Sequence, residues 1–192
     1  MDATPACAKQ HKGPIYSEDA VINANGTLKN AFVYIKSGLA KRDYPVPPAP
    51  VKLDQKGCIY VPHVVGVMVN QTLEISNSDD TNHNIHPMPK ENREWNESQP
   101  PKGDVKVKTF PKEEVPPILF KCNVHPWMRA WVGVVSHPYF AVSGEEGTFT
   151  LKDVPPGEYM VGAWHERFGV KEVKVKVEAK QSLTADITFS AN

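Results

Sequence analysis

Prolines and glycines interrupt this chain every few residues, and they constrain its fold more than any other feature. The 192 residues contain eighteen prolines and twelve glycines. Proline cannot donate the backbone hydrogen bond that a helix interior needs, and both residues are typical of turns. The sequence therefore predicts an all-β protein of short strands joined by turns. No sustained helical periodicity and no internal repeat are visible in it.

The charge pattern limits the class of partner. Twenty-two basic residues balance twenty-two acidic ones, without a polybasic run or an acidic tail, so neither nucleic acid nor an anionic membrane surface is expected as a partner. No apolar run approaches the roughly 20 residues of a membrane helix, so no transmembrane segment is expected. The first ten residues lack the apolar core of a secretion signal, which fits a mature secreted domain and a cytosolic protein equally.

The three cysteines differ in their surroundings. Cys122 lies three residues before a histidine, at a spacing that suits metal ligands, whereas Cys7 and Cys58 have no such company apart from His11. We hypothesise a Cys7–Cys58 disulfide, which closes a loop of about 50 residues and adds about 4 kcal/mol of stability in the chain-entropy model. Such a bridge implies a periplasmic or secreted protein. Two separate buried thiols remain the alternative.

The two ends of the chain are predicted to share one module. Asn25-Gly26 separates two expected strands near the amino terminus and indicates a hairpin. Alternation of apolar and polar residues, together with turn signals, predicts four more strands near the carboxy terminus. The proline-rich residues 44–50 form an expected connector. We therefore predict a β-sandwich from residues 14–50 plus 138–192, an inserted module over 51–137 and an amino-terminal segment over 1–13. The six expected sandwich strands are 20–24, 31–36, 148–151, 158–165, 173–177 and 183–189.

The inserted module shows short apolar stretches of strand length separated by polar loops. The loops at 77–84 and 87–103 are rich in Asn, Asp, Pro and Glu, as functional loops on a β scaffold often are. Both flank candidate ligands. The expected strands lie within 58–69, 72–76, 105–110, 118–121 and 130–136.

One short string carries the chemistry. Cys122, His125 and Met128 present a thiolate, an imidazole and a thioether at intervals of three residues. A thiolate, two imidazoles and a weak axial thioether suit both charges of copper. The second imidazole must come from elsewhere in the chain, and either His83 or His86 can supply it.

These two strings resemble the amicyanins, small blue copper proteins of the cupredoxin family. The resemblance lies in Cys122-x-x-His125-Pro-Trp-Met128-Arg followed by a valine-rich strand, and in the His-Asn-Ile-His string of residues 83–86. It implies a Greek-key cupredoxin β-sandwich with one type 1 copper. It also implies that Asn84 holds the backbone near the thiolate and that His125, beside Trp127, is the electron port. The implied copper ligands are His83, Cys122, His125 and Met128.

The carboxy-terminal module resembles a different family. Its Gly147-Thr-Phe and Pro155-Pro-Gly-Glu-Tyr strings are similar to the carboxypeptidase regulatory-like, transthyretin-like β-sandwich. These strings form turns and core and carry no chemistry, so we interpret this module as a scaffold or a docking surface.

The sequence favours an extracytoplasmic electron carrier, not an enzyme, whose partner is a redox protein such as a c-type cytochrome or a dehydrogenase. One alternative is a copper enzyme with an open axial position, similar to nitrosocyanin. Another is a metal-free or zinc-stabilised interaction module, in which His83, His86, Cys122 and His125 form a tetrahedral set. His63 is a further alternative ligand, and His165 with Glu166 could bind a second ion or a partner.

Overall fold

The computed structural model describes residues 4–190, so residues 1–3 and 191–192 of the predicted modules lie outside it. The described chain divides into two compact units. Unit one comprises residues 4–18 and 46–136, and unit two comprises residues 19–45 and 137–190. Within residues 4–190, no helix has both the length and the apolar character that crossing a bilayer requires.

The all-β prediction is confirmed. The described residues contain one short helix, α1 (Pro5–Ala8), and thirteen strands in three sheets. The strands are β1 (Phe32–Ser37), β2 (Val51–Gln55), β3 (Tyr60–Val61), β4 (Val64–Met68), β5 (Leu73–Asn77), β6 (His83–Met88), β7 (Glu97–Gln99), β8 (Lys106–Lys108), β9 (Glu114–Lys121), β10 (Arg129–Val135), β11 (Phe140–Val142), β12 (Gly157–His165) and β13 (Gly169–Val177).

Unit one contains two sheets, with strand orders β4-β10-β9-β6-β7 and β3-β2-β5-β8. Strand β10 is an internal strand of the first sheet, because it pairs in parallel with β4 and antiparallel with β9. Its alternating apolar side chains are fully buried at Ala130, Val132 and Val134, where they join one core with Leu53 and Phe120. The cysteine, histidine and methionine of the candidate ligand loop follow directly from β9 and precede β10.

Unit two contains one sheet of order β11-β1-β12-β13. Long antiparallel strands β12 and β13 pair over their whole length, from Gly157 opposite Val177 to His165 opposite Gly169. The predicted alternation is present in β13, where Val173 and Val175 pack against the core and the lysines between them lie on the more exposed face.

Three strand predictions in unit two are wrong. Residues 148–151 and 183–189 lie in the described chain but form no strand, although Phe149, Ile187 and Phe189 still pack against the core. The expected strand at 20–24 is reduced to a single bridge between Ile22 and Leu28. Alternation reports which side chains face the core, and it does not supply the neighbouring strand with which a backbone must pair.

Candidate metal centre

Strand pairing brings the two halves of the site together. Strands β6 and β9 run antiparallel, with His86 opposite Lys121. The first residue of β6, His83, therefore lies beyond the end of β9, beside the loop that begins at Cys122. The expectation that His83 belongs to a polar loop is wrong, because residues 83–88 form a regular strand.

Three donor atoms converge in the interior of unit one. The His83 Nδ1 lies 3.0 Å from the His125 Nδ1, and the Cys122 sulfur lies 3.9 Å from the same His125 nitrogen. Donor atoms of all three residues fall within 4.8 Å of one another, and all three side chains are buried. Nitrogens about 2.0 Å and a sulfur about 2.3 Å from one ion lie roughly 3 to 4 Å apart, so the spacing fits a metal ion.

The ligand loop is tightly closed by its own backbone. The Cys122 amide donates to the Met128 carbonyl at 3.2 Å, and the Met128 amide donates to the His125 carbonyl at 2.9 Å. The Met128 side chain is fully buried in the core of unit one. These bonds hold the three loop residues in one compact turn.

The buried Asp79 carboxylate orients His83. The sequence analysis did not identify this residue. Asp79 is 2% exposed, and its Oδ2 accepts a hydrogen bond from the His83 Nε2 at 2.8 Å. The same carboxylate accepts the amides of Gly57 and Cys58, each at 2.7 Å. With its hydrogen on Nε2, a neutral His83 keeps the Nδ1 lone pair for the site. The four-residue spacing from Asp79 to His83 was the available signal.

The Cys122 sulfur lies in an environment that favours the thiolate. Burial alone raises the pKa of the Cys122 thiol, but hydrogen bonding from His83 and from the amides of His125, Asn84 and Val124 outweighs it and lowers the pKa. A lowered thiol pKa makes the metal-binding form easier to reach.

Asn84 ties the ligand loop to two other segments. Its backbone amide faces the Cys122 sulfur, and its side-chain oxygen accepts the Asn123 amide at 3.0 Å. Its side-chain nitrogen donates to Asn96 and to the Glu97 carbonyl. This is the arrangement that the resemblance implies for Asn84, which stays a predicted supporting residue.

The pKa values of His83 and His125 are shifted in opposite directions. Burial lowers the pKa of His83, but the Asp79 carboxylate and the Cys122 sulfur raise it above the usual value. Burial and the neighbouring His83 charge both lower the pKa of His125. The Asp79 pKa is raised by burial, yet His83 and the amides of Cys58 and Gly57 bring it below the usual value. Asp79 therefore stays ionised beside His83.

Two alternative ligands lie in other surroundings. The His86 Nδ1 lies 3.1 Å from the Asn123 Oδ1, and its Nε2 lies 2.7 Å from the Glu94 Oε1. His63 is 6% exposed, and its Nδ1 lies 4.0 Å from a Glu18 oxygen. The zinc alternative needs His86 as its fourth ligand, but among the described residues His86 belongs to none of the clusters that could hold a metal.

The expected disulfide is present and adjoins the site. Cys7 and Cys58 form a disulfide, and the Cys58 carbonyl accepts the Trp127 indole N–H at 2.9 Å. The Trp127 ring lies 5.2 Å from the His125 ring, centroid to centroid. The His125 ring is only 3% exposed, whereas Val124 beside it is 51% exposed. The electron-port role of His125 with Trp127 stays a prediction.

The suggested second site of unit two is a packed core position. His165 is 1% exposed, its Nδ1 accepts the Arg167 amide at 3.2 Å, and its ring stacks on Phe168. A backbone bond occupies the His165 Nδ1 and packing covers the ring, and the role of His165 with Glu166 stays a prediction.

Comparison with known families and structures gives partial similarities. A family model for a BOS complex subunit, the second β-sandwich domain of NOMO1-like proteins, matches residues 139–188, about a quarter of the chain. No curated protein sequence matches the chain.

Several solved copper proteins share weak similarity with the chain. A copper-containing nitrite reductase from Thermus scotoductus SA-01 is 20% identical over 51% of this chain, with a TM-score of 0.42. The match spans only 25% of that enzyme's length. A purple cupredoxin from Nitrosopumilus maritimus is 21% identical over 44% of this chain and 98% of its own, with a TM-score of 0.37. Amicyanin from Paracoccus versutus is 20% identical over 53% and 96%, with a TM-score of 0.39.

Proposed function

We propose that this protein carries single electrons through one type 1 copper ion held by His83, Cys122, His125 and Met128. The observation behind the proposal is the buried convergence of the His83 and His125 Nδ1 atoms, 3.0 Å apart, with the Cys122 sulfur. A thiolate with two imidazoles and a weak axial thioether is the donor set of blue-copper sites. When bound, copper would supply one-electron chemistry by alternating between its cuprous and cupric charges.

The protein residues around the site favour such chemistry because they hold the donors in place. Asp79 fixes the His83 tautomer, and the backbone bonds from Cys122 to Met128 close the ligand loop. Ligands held in this way move little when the charge of the ion changes, and small movement is what fast electron transfer requires. The Cys7–Cys58 disulfide supports an extracytoplasmic location, since such bridges persist in oxidising compartments.

We propose a redox protein, such as a c-type cytochrome or a dehydrogenase, as the partner. The exposed Val124 and Pro126 flank His125 in the ligand loop and offer an uncharged contact surface next to the site. An electron would then pass through the short protein path between this surface and the His125 ring. We propose no catalytic residue.

Voltammetry of the copper-loaded protein, combined with addition of azide, tests this function. An electron carrier gives a reversible one-electron wave and a visible spectrum that azide leaves unchanged. A spectrum that shifts with azide would favour a copper enzyme with an open axial position. Tight zinc binding with no stable copper complex would favour the zinc-stabilised interaction module.

A further inference from the structure

The Cys7–Cys58 disulfide lies directly against one of the candidate ligands. Both sulfurs lie within 4.8 Å of a ring nitrogen of His125. The Cys58 sulfur is also within 4.8 Å of an Asp79 oxygen and a His83 nitrogen. Cys7 and Cys58 are fully buried, and His125 is 3% exposed. A disulfide that served only to cross-link the chain would not need to lie beside a candidate metal ligand such as His125.

Three hydrogen bonds hold the backbone at Cys58 in addition to its bond to Cys7. The Gly57 and Cys58 amides donate to Asp79 at 2.7 Å, and the Cys58 carbonyl accepts the Trp127 indole. None of these bonds uses the Cys58 sulfur, so we expect a reduced Cys58 to stay beside His125. The Cys7 amide donates to the Thr4 carbonyl at 2.9 Å, within the turn of α1.

We propose that reduction of this disulfide creates a second metal site, in which Cys7, Cys58 and His125 bind one cuprous ion. Two thiolates and an imidazole are soft and borderline donors, which select Cu(I) over harder cations. The His125 Nδ1 faces His83 and Cys122, so we assign Nε2 to the sulfur pair. This inference does not rest on the proposed electron carriage, because it needs neither Cys122 nor Met128.

The surroundings favour bound thiolates. The Gln10 side-chain amide donates to the Cys58 sulfur at 3.8 Å, and a hydrogen bond of this kind stabilises the charged form of sulfur. Both sulfurs are fully buried, so the reductant and the ion reach them through local opening of this part of unit one.

The proposed conversion has two balanced steps. A dithiol reductant transfers two electrons and two protons to the Cys7–Cys58 bond, which breaks into two thiols while the reductant closes its own disulfide. Cu(I) then binds, and the two thiols release their protons as they become thiolate ligands. A disulfide oxidant reverses the conversion: it takes two electrons from the two thiolates and two protons from water to become a dithiol, while the Cys7–Cys58 bond closes and the ion is released.

The test uses the full chain with Cys122→Ser, so that the first proposed site cannot account for the result. Cu(I) affinity is measured by competition with bicinchoninate, before and after anaerobic treatment with dithiothreitol and its removal by gel filtration. The reduced variant is expected to bind one Cu(I) at least a hundredfold more tightly than the disulfide-intact variant. Failure of the electron-carrier proposal appears instead in the disulfide-intact protein with Cys122 present.

Matched histidine variants separate a built site from two loose thiols. In the reduced Cys122→Ser background, His125→Ala should weaken Cu(I) binding at least tenfold. His86→Ala, an imidazole of the same unit outside the sulfur cluster, should leave it unchanged. Three results would overturn the proposal: no gain on reduction, a gain that His125→Ala does not reduce, or loss of the native circular dichroism spectrum on reduction.

Discussion

Replacing Asp79 by asparagine should destabilise unit one strongly, although the two side chains have nearly the same size. The Asp79 carboxylate accepts three hydrogen bonds, from the Gly57 amide to Oδ1 and from the Cys58 amide and His83 Nε2 to Oδ2. An asparagine side chain has one oxygen and one NH2 group. In either orientation its NH2 group faces at least one buried N–H donor, which then has no acceptor.

The magnitude follows from these contacts. One buried donor left without an acceptor costs about 1–3 kcal/mol, and the two remaining bonds change from charge-assisted to neutral, which removes about 1 kcal/mol more. We therefore expect Asp79→Asn to lower the free energy of unfolding by about 3 kcal/mol. We expect this loss of unfolding free energy at pH 7, because the lowered pKa keeps the wild-type Asp79 ionised there.

Guanidinium unfolding of the metal-free, disulfide-intact protein at pH 7 measures this loss. A loss of this size lowers the midpoint by roughly 0.5–1 M for a protein of this size. Asp54→Asn is the matched control, because Asp54 is only partly buried and accepts the hydroxyls of Ser76 and Ser78. A hydroxyl can rotate to accept from the new NH2 group, so this change should cost little. Equal midpoints for the two variants would show that the three hydrogen bonds to Asp79 do not stabilise unit one by this amount.

Three further predictions concern the axial ligand, the core and the surface charges. Met128→Gln should lower the midpoint potential of the copper-loaded protein, because a harder axial oxygen favours the cupric charge; an unchanged potential in voltammetry would remove Met128 from the site. Phe120→Ala should destabilise the protein by about 3–5 kcal/mol in guanidinium unfolding, since the ring is fully buried in the core of unit one. Hydrogen bonding from Lys108, helped by Lys106, lowers the pKa of the Glu97 carboxyl below its usual 4.5. The stability that this depressed pKa supplies is present above pH 4.5 and is lost as the pH falls through the folded-state value, so Glu97→Gln should cost about 0.5 kcal/mol at pH 7. Unfolding curves measured at successively lower pH below 4.5 should show this difference shrink, and a difference that stays constant as the pH falls would contradict the assigned cause.

The sequence was most informative where side-chain pattern and backbone pairing agree. The valine alternation of residues 173–177 predicted a real strand because its neighbour β12 supplies a full ladder. The same alternation at residues 183–189 predicted a strand that is absent, because the pattern contains no information about a partner strand. Turn signals such as Asn25-Gly26 likewise identified the turn but overestimated the hairpin around it.

At the candidate site, the sequence predicted the residue types better than the local structure. His83, Asn84 and His86 occupy strand β6, but their polar side chains made the segment look like a loop. Polar residues that serve a site break the apolar pattern by which strands are recognised. Asp79 was missed for a related reason: its role depends on the amides of Gly57 and Cys58, more than 20 residues away, which the fold brings to it.

We propose that the Cys122 sulfur and the His83 and His125 rings bind one copper ion. Titration of the disulfide-intact protein with Cu(II), followed by visible absorption and electron paramagnetic resonance, tests it most directly. A type 1 copper site should give an intense thiolate-to-copper band that saturates at one equivalent and disappears in Cys122→Ser. Copper bound without that band, or a band that survives Cys122→Ser, would contradict it.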